Sequence, residues 1–525
     1  FLAQVEHPLI VEIYNFVTHN DAGYIVMEYV GGVSLKQVLK DRMAANGGAY
    51  DALPVDQALA YVIEVLPAFQ YLHDLGLVYC DFKPDNLIQV GDDIKLIDLG
   101  GVRRIDDADS AIYGTVGYQA PEVATTGPSI ASDLYTIGRT LVVLCMEFRG
   151  YQGTYVDSLP DPATTPLFQK YDSLYWLIAK ACAPDPNDRF ASAEEMRTQC
   201  LGVLREVVGT RTSDPAQTSG ASTSFYTPAL ATSSVGWDQL PGLRPDHTDP
   251  GYDVVATLSS TDPEERLREL ETAPVESAEV RLARCYERLR AGRPDGVAPQ
   301  ATKILEADPW DWRALWVMGL ADLARRQWPS AMAGFNSVYH QVPGELAPKL
   351  ALAVACESGG QPEVAESLYR TCAQTDAAYV APAAFGIARI RQAAGDIPGA
   401  IAAWELVPAS SRGYGEARRL RAKALLATAG TSLPALSQAY AGLDGLRLDT
   451  VERETFTVDL LRRALSVVGD GDLSPTMVGP FRARGADLRA GLEASYRVLA
   501  RESADPAQRV ALVDEANEVR PWSLT

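Results

Sequence analysis

The sequence predicts a mainly α chain of more than one domain: a front domain with a few short strands, then a long all-α rear half of repeated helix pairs. Three observations carry that prediction. At 525 residues the chain is too long for one compact core. Its front holds short strand-like runs around one long amphipathic helix. Its rear repeats itself with a period of 34 residues.

The front block, residues 1–208, opens with strand-like stretches at 11–16 and 24–29, joined by the hairpin-turn composition Asn20-Asp21-Ala22-Gly23. A long helix follows. Leu59, Val62, Ile63, Leu66, Phe69 and Leu72 recur at helical spacing, and Gly76 ends it. Two short strands, 87–90 and 94–97, flank Gly91-Asp92-Asp93, and beyond Glu122 the pattern is helical again. Residues 209–261 turn to Ser, Thr, Pro and Gly without an apolar period, which predicts a linker, extended or laid along a domain surface. Phe225, Tyr226 and Trp237 are anchors that a pure spacer would not need.

The rear half begins at Asp262-Pro263, an N-cap followed by Pro at the first helical position. Pro309 and Pro343 are 34 residues apart, as are Ala331 and Ala365, and Ala400 follows 35 later. Each alanine has an aromatic four residues on (Phe335, Tyr369, Trp404) and a small residue twelve before (Gly319, Ala353, Ala388). Small side chains let two helices approach, and the aromatic fills the gap to the next pair. This is the tetratricopeptide period, assigned to residues 262–446. From 447 to 525 the repeat fades, and 450–468 and 485–500 read as helices of an extension or cap.

Composition narrows the function. The net charge of −21 serves solubility first and argues against nucleic acid or anionic membrane as the main partner, because both demand a basic surface. The longest apolar runs are far too short for a transmembrane segment, and no signal peptide is readable. Seven widely spaced cysteines form no C-x-x-C pair, as expected of buried thiols in a reducing cytoplasm, and predict a cytoplasmic protein. The five histidines, His7, His19, His73, His247 and His340, are too scattered for a metal site and read as structural.

The chemistry sits in Tyr79-Cys80-Asp81-Phe82-Lys83-Pro84-Asp85-Asn86. Phosphoryl transfer needs a carboxylate for the nucleophile, a cation on the γ-phosphate and oxygens for Mg²⁺. Asp81, Lys83 and Asn86 supply these as D-x-K-x-x-N, and Asp98-Leu99-Gly100 follows twelve residues later at a strand end. Then come Gly114-Thr115, Ala120-Pro121-Glu122, an apolar helix around Asp133, and Asn187-Asp188-Arg189, whose cation suits Glu122. Each alone is weak; an Asp after a strand is usually a turn residue. In this order they match the protein-kinase signature set.

The front block therefore resembles a eukaryotic-like Ser/Thr protein kinase: a C-lobe with an incomplete N-lobe, followed by an all-α tetratricopeptide-repeat solenoid. The resemblance implies ATP and Mg²⁺ as cofactors and roles residue by residue. Asp81 would be the catalytic base and Lys83 would contact the γ-phosphate. Asn86 and Asp98 would bind Mg²⁺, and Thr115 would brace Asp81 and Lys83. Glu122 and Arg189 would form a structural ion pair. Glu28 and Val30 would offer hinge backbone groups to adenine, with Met27 as gatekeeper. The whole chain is similar to the actinobacterial protein kinase G family, through Lys95-Leu96-Ile97-Asp98-Leu99-Gly100, residues 343–353 and residues 511–521. That likeness implies a substrate of the forkhead-associated type that restrains 2-oxoglutarate dehydrogenase, and repeats that dock partners or dimerise.

Two departures qualify the resemblance. Tyr79-Cys80-Asp81 stands where most kinases have His-Arg-Asp, and Cys80 cannot hold a phosphorylated activation loop. Activity is thus expected without phosphorylation of Ser110, Tyr113 or Thr115. No Gly-rich phosphate loop, strand Lys or rubredoxin-like segment precedes the hinge, so no metal beyond Mg²⁺ is predicted, and residues 1–7 fit the tail of the N-lobe helix. The first residue is Phe, not Met. These features predict an N-terminally truncated kinase sequence, itself impaired in ATP turnover. A pseudokinase scaffold acting through its repeats is the alternative. The Ala-Pro-Glu segment argues against a small-molecule phosphotransferase, since it builds a platform for polypeptides.

Overall fold

The structure, a computed structural model, describes residues 5–20, 22–107, 112–212, 214–230 and 235–521. The chain divides into two compact units: residues 1–214, 221–226 and 243–355 form the first, and 215–220, 227–242 and 356–525 the second.

In the first unit, strands Ile13–His19 and Ala22–Met27 pair as an antiparallel hairpin, with His19 opposite Ala22. Both strands lie off the expected 11–16 and 24–29. Asn20 at φ 50° makes the turn, which fixes where pairing begins; Asp21 lies outside the described residues. The strand Leu87–Val90 pairs with both Val33–Ser34 and Asp93–Leu96, and Leu77–Val78 pairs with Arg103–Arg104. The helix Val55–Asp74 turns its whole predicted stripe inward: Leu59, Val62, Ile63, Leu66, Phe69 and Leu72 are buried. They share one core with Leu134, Ile137 and Leu141 of the helix Ile130–Cys145. A capping box between Ser129 and Ser132 starts that helix, which fixes the depth at which Asp133 enters the core.

Also within the first unit, the linker residue Phe225 is buried against Trp312 and Trp316, at 5.4 and 4.9 Å between ring centroids. The helices Trp312–Ala324 and Trp328–Gln341 form a repeat pair, in which a Cβ on Gly319 would meet the Phe335 ring at 2.7 Å. In the second unit, Pro362–Thr375 and Ala377–Ala393 pack the same way, with Gly386 against Tyr369. Of the period-marking residues, Ala331, Ala365, Ala400, Phe335, Tyr369, Trp404, Ala353 and Ala388 are buried, while Pro309 is exposed.

The helices Thr450–Val468 and Gly485–Glu502 flank a hairpin that the helical reading of 447–525 did not contain, Asp472–Val478 with Phe481–Arg484. Six of the seven residues in its first strand are exposed, so no apolar alternation marks it in the sequence. Among the described residues, no helix is long and apolar enough to cross a membrane. All seven cysteines are buried, and none is in a disulfide.

Candidate active site

The helix Val55–Asp74 ends in a glycine turn, Gly76 at φ 70°, and the chain enters the short strand Leu77–Val78. The next residues are held from below. Asp133 is fully buried and accepts the backbone N–H of Tyr79 and of Cys80, each at 2.8 Å, and pairs with His73 Nε2 at 2.9 Å. The Tyr79 ring packs edge-on against Phe69, and its hydroxyl donates to the carbonyl of Ile97. Cys80 takes φ 71°, a left-handed conformation that costs a non-glycine residue and is retained here by those two bonds. Its buried thiol is pushed up, first by burial and then by the Asp133 charge, so it stays protonated.

This platform presents Asp81 outward. Lys83 Nζ donates to Asp81 Oδ2 at 2.5 Å and to Thr115 Oγ1 at 2.8 Å, and Thr115 Oγ1 donates to Asp81 Oδ1 at 2.7 Å. Three side chains from two distant segments thus close a triangle. Asn86 Nδ2 donates to the Asp81 carbonyl at 2.8 Å, which ties the end of the loop to its start. Asp98 is exposed at φ 57° and accepts the N–H of Gly100 at 3.2 Å. The following turn lies on the loop: a Cβ on Gly101 would meet the Tyr79 carbonyl at 3.2 Å and Asp81 Cβ at 3.6 Å. Arg189 forks onto Glu122 at 2.6 and 2.9 Å, its guanidinium wholly buried.

The protein kinase domain profile matches residues 1–201, and the protein kinase G tetratricopeptide repeat profile matches residues 230–523. The serine/threonine-protein kinase PknG of Mycobacterium leprae is 38% identical across the whole of this chain, which covers 72% of that relative. PknG of Mycolicibacterium smegmatis is 37% identical with the same coverage. The serine/threonine-protein kinase PrkC of Bacillus subtilis is 31% identical over 37% of this chain and 31% of its own length. The chain belongs to the protein kinase G family. It is a serine/threonine protein kinase with tetratricopeptide repeats.

The residues expected at the hinge make contacts of their own. Met27 is exposed at the end of the strand Ala22–Met27, and the Val30 carbonyl accepts from Gly32 N–H at 3.2 Å. The Glu28 N–H pairs with the Glu12 carbonyl, and its carboxylate takes both ends of a bond from Lys95, which holds it below the usual range. Sequence reasoning missed that Lys95–Glu28 pair. It also missed Asp133 and His73 as supports of the loop, and Arg139. The Arg139 side chain is fully buried, and its guanidinium donates to the carbonyls of Gly117, Ser158, Tyr151 and Tyr155 at 2.5–3.1 Å. It thereby ties Gly117, two residues after Thr115, to the segment 151–158. A charged residue inside Ile137-Gly138-Arg139-Thr140-Leu141 is the signal that could have found it, because an ion in an apolar run must have fixed partners. Tyr113 is exposed; Ser110 lies outside the described residues.

Proposed function

We propose that phosphate transfer in this chain runs on the Asp81–Lys83–Thr115 triangle, the single observation that carries the reading. The Asp81 carboxylate accepts the hydrogen bond of a substrate Ser or Thr hydroxyl and takes its proton as transfer proceeds. Lys83 carries the positive charge to the γ-phosphate of ATP. Thr115 fixes both through one hydroxyl. Asn86 and Asp98 would hold Mg²⁺. A carboxylate and an amide are the hard oxygen donors this ion takes together with phosphates and water, so no larger acidic cluster is required. When bound, Mg²⁺ neutralises charge on the phosphates. Glu28 and Val30 would present backbone to adenine behind Met27.

The 525 residues contain no Gly-rich phosphate loop and no strand Lys ahead of the hinge, so a polypeptide of these residues alone is expected to turn over ATP slowly. Family resemblance supports a cytoplasmic kinase whose substrate is a small forkhead-associated protein restraining 2-oxoglutarate dehydrogenase, and so a role in central carbon and nitrogen metabolism. The repeats would recruit that substrate or dimerise. The buried, protonated Cys80 supports activity without a phosphate on Tyr113 or Thr115; mass spectrometry showing obligatory phosphate there in an active preparation would overturn this.

The decisive experiment is transfer of labelled phosphate from ATP to a Ser/Thr protein substrate by the full-length protein and its Asp81→Asn variant. A loss of about a hundredfold or more is expected. Equal rates would remove Asp81 from its role.

A further inference from the structure

We propose that Ser219 is a phosphorylation site whose modification releases a strap of the linker from the repeats. The strap is residues 215–220, and it is bound within the second unit as an extended peptide would be. The N–H of Ala216 donates to the carbonyl of Ala373 at 2.9 Å, and the N–H of Ala377 donates to the carbonyl of Thr218 at 3.0 Å. The strap ends on a buried carboxylate. Asp376 is only 2% exposed, and it accepts Ser219 Oγ–H at 2.7 Å and the N–H of Gly220 at 3.0 Å. Asp376 also caps the helix Ala377–Ala393 through the N–H of Ala378 at 2.8 Å, so it cannot follow the strap outward without uncapping that helix.

The bond from Ser219 has a definite polarity. A hydroxyl proton is donated to a carboxylate, which stabilises the strap only while the oxygen carries that proton. Once esterified, Ser219 Oγ has no proton to give, and the phosphate's charge of about −1.5 to −2 would face the buried Asp376 side chain. Repulsion and lost desolvation compensation then act at the same atom. The Ser219 residue itself is exposed, in a run rich in hydroxyl and small residues, so it is open to modification where Asp376 is not. The strap forms part of the lining of a cavity of about 860 Å³, shared with Ala377, Ala381 and Pro382. Among the described lining residues Arg412 is the cation, which gives the new phosphate a direction to move.

The modifying activity is the chain's own chemistry, so this part rests on the reading of the Asp81 site. The Ser219 Oγ–Pγ bond forms as the bond from Pγ to the β–γ bridging oxygen of ATP breaks. ADP leaves, and the hydroxyl proton passes to the carboxylate base and then to solvent. Covalent tethering supplies a high effective concentration of the acceptor.

Two arms test this on the full-length protein. In the first, the protein is incubated with ATP and Mg²⁺ beside myelin basic protein as a general acceptor, and phosphate is mapped. Label on Ser219, lost in Asp81→Asn, is expected; label on the general acceptor without label on Ser219 overturns self-modification. Label on neither counts against the Asp81 reading instead, and the second arm still decides the strap. There, phosphoserine is installed at 219 by codon reassignment, and hydrogen exchange is read at the amides of Ala216, Gly220 and Ala377. Exchange faster by about tenfold or more is expected, and faster than in Ser219→Ala, which loses the bond without adding charge. Unchanged exchange, or exchange no faster than in Ser219→Ala, overturns the proposal.

Discussion

The catalytic loop and the repeat helices are held by opposite means. In the loop, two backbone N–H groups and one imidazole converge on a single buried carboxylate, Asp133, at the left-handed turn of Cys80. In the repeats of the second unit, a bare Gly386 lies against the ring of Tyr369, and close packing fills the space between the helices. The first arrangement concentrates its stability in one polar group; the second spreads it over many contacts of a few tenths of a kcal/mol. Function is accordingly expected to tolerate little change at the carboxylate and more where packing acts.

The largest expected effect therefore belongs to Asp133→Ala. It strands two buried N–H donors and His73 at once, and should cost about 3–5 kcal/mol in denaturant unfolding, with loss of phosphate transfer. A cost under about 1 kcal/mol would show that the loop is held by its aromatic packing on Phe69 instead. Gly386→Ala is the matching test on the repeats. Its new Cβ would stand 2.5 Å from the Tyr369 ring. That ring cannot swing away, because its hydroxyl donates to Glu357 at 2.6 Å and Arg389 clamps the same carboxylate. Overpacking should cost about 1–3 kcal/mol. A loss as large as that of Asp133→Ala would erase the contrast.

The same contrast explains what the sequence makes legible. The 34-residue period is readable because packing needs small and aromatic residues at fixed intervals, and interval is what a sequence records. D-x-K-x-x-N and Gly-Thr are readable because the chemistry demands side chains at local spacing. Asp133 is not readable as a support, since its partners are backbone amides 53 and 54 residues away, and an amide carries no residue identity. Lys95–Glu28, separated by 67 residues, is hidden for the same reason of distance. The hairpin at Asp472–Val478 is hidden because its side chains are almost all exposed, which leaves no alternation to detect.

Within the triangle itself, Thr115→Ala should lower kcat by about tenfold with KM little changed, because it removes one hydroxyl that orients both Asp81 and Lys83. Thr115→Ser keeps the hydroxyl and should restore most of the rate. Equal activity of all three proteins would show that Lys83 and Asp81 hold each other without help.

The smallest effect expected is a pH dependence set in the first unit. The His340 ring stacks on Trp176 with centroids 3.3 Å apart and planes at 16°. Burial lowers its pKa from 6.5 to about 4. The unfolded chain thus binds a proton more readily than the folded one between these values. Stability from this source is complete above about pH 6.5, falls as pH drops toward 4, and is flat below. Because the ring is partly open to solvent, the loss should be no more than about 1–2 kcal/mol after allowance for screening. The measurement is the stability difference between the protein and His340→Phe, which keeps an aromatic ring on Trp176 and removes the titration. That difference should shift in favour of the variant from pH 6.5 to 4. If the two stability curves instead run parallel, the stack contributes the same in both protonation states, and packing in this unit is as indifferent to charge as the glycine contact at Tyr369.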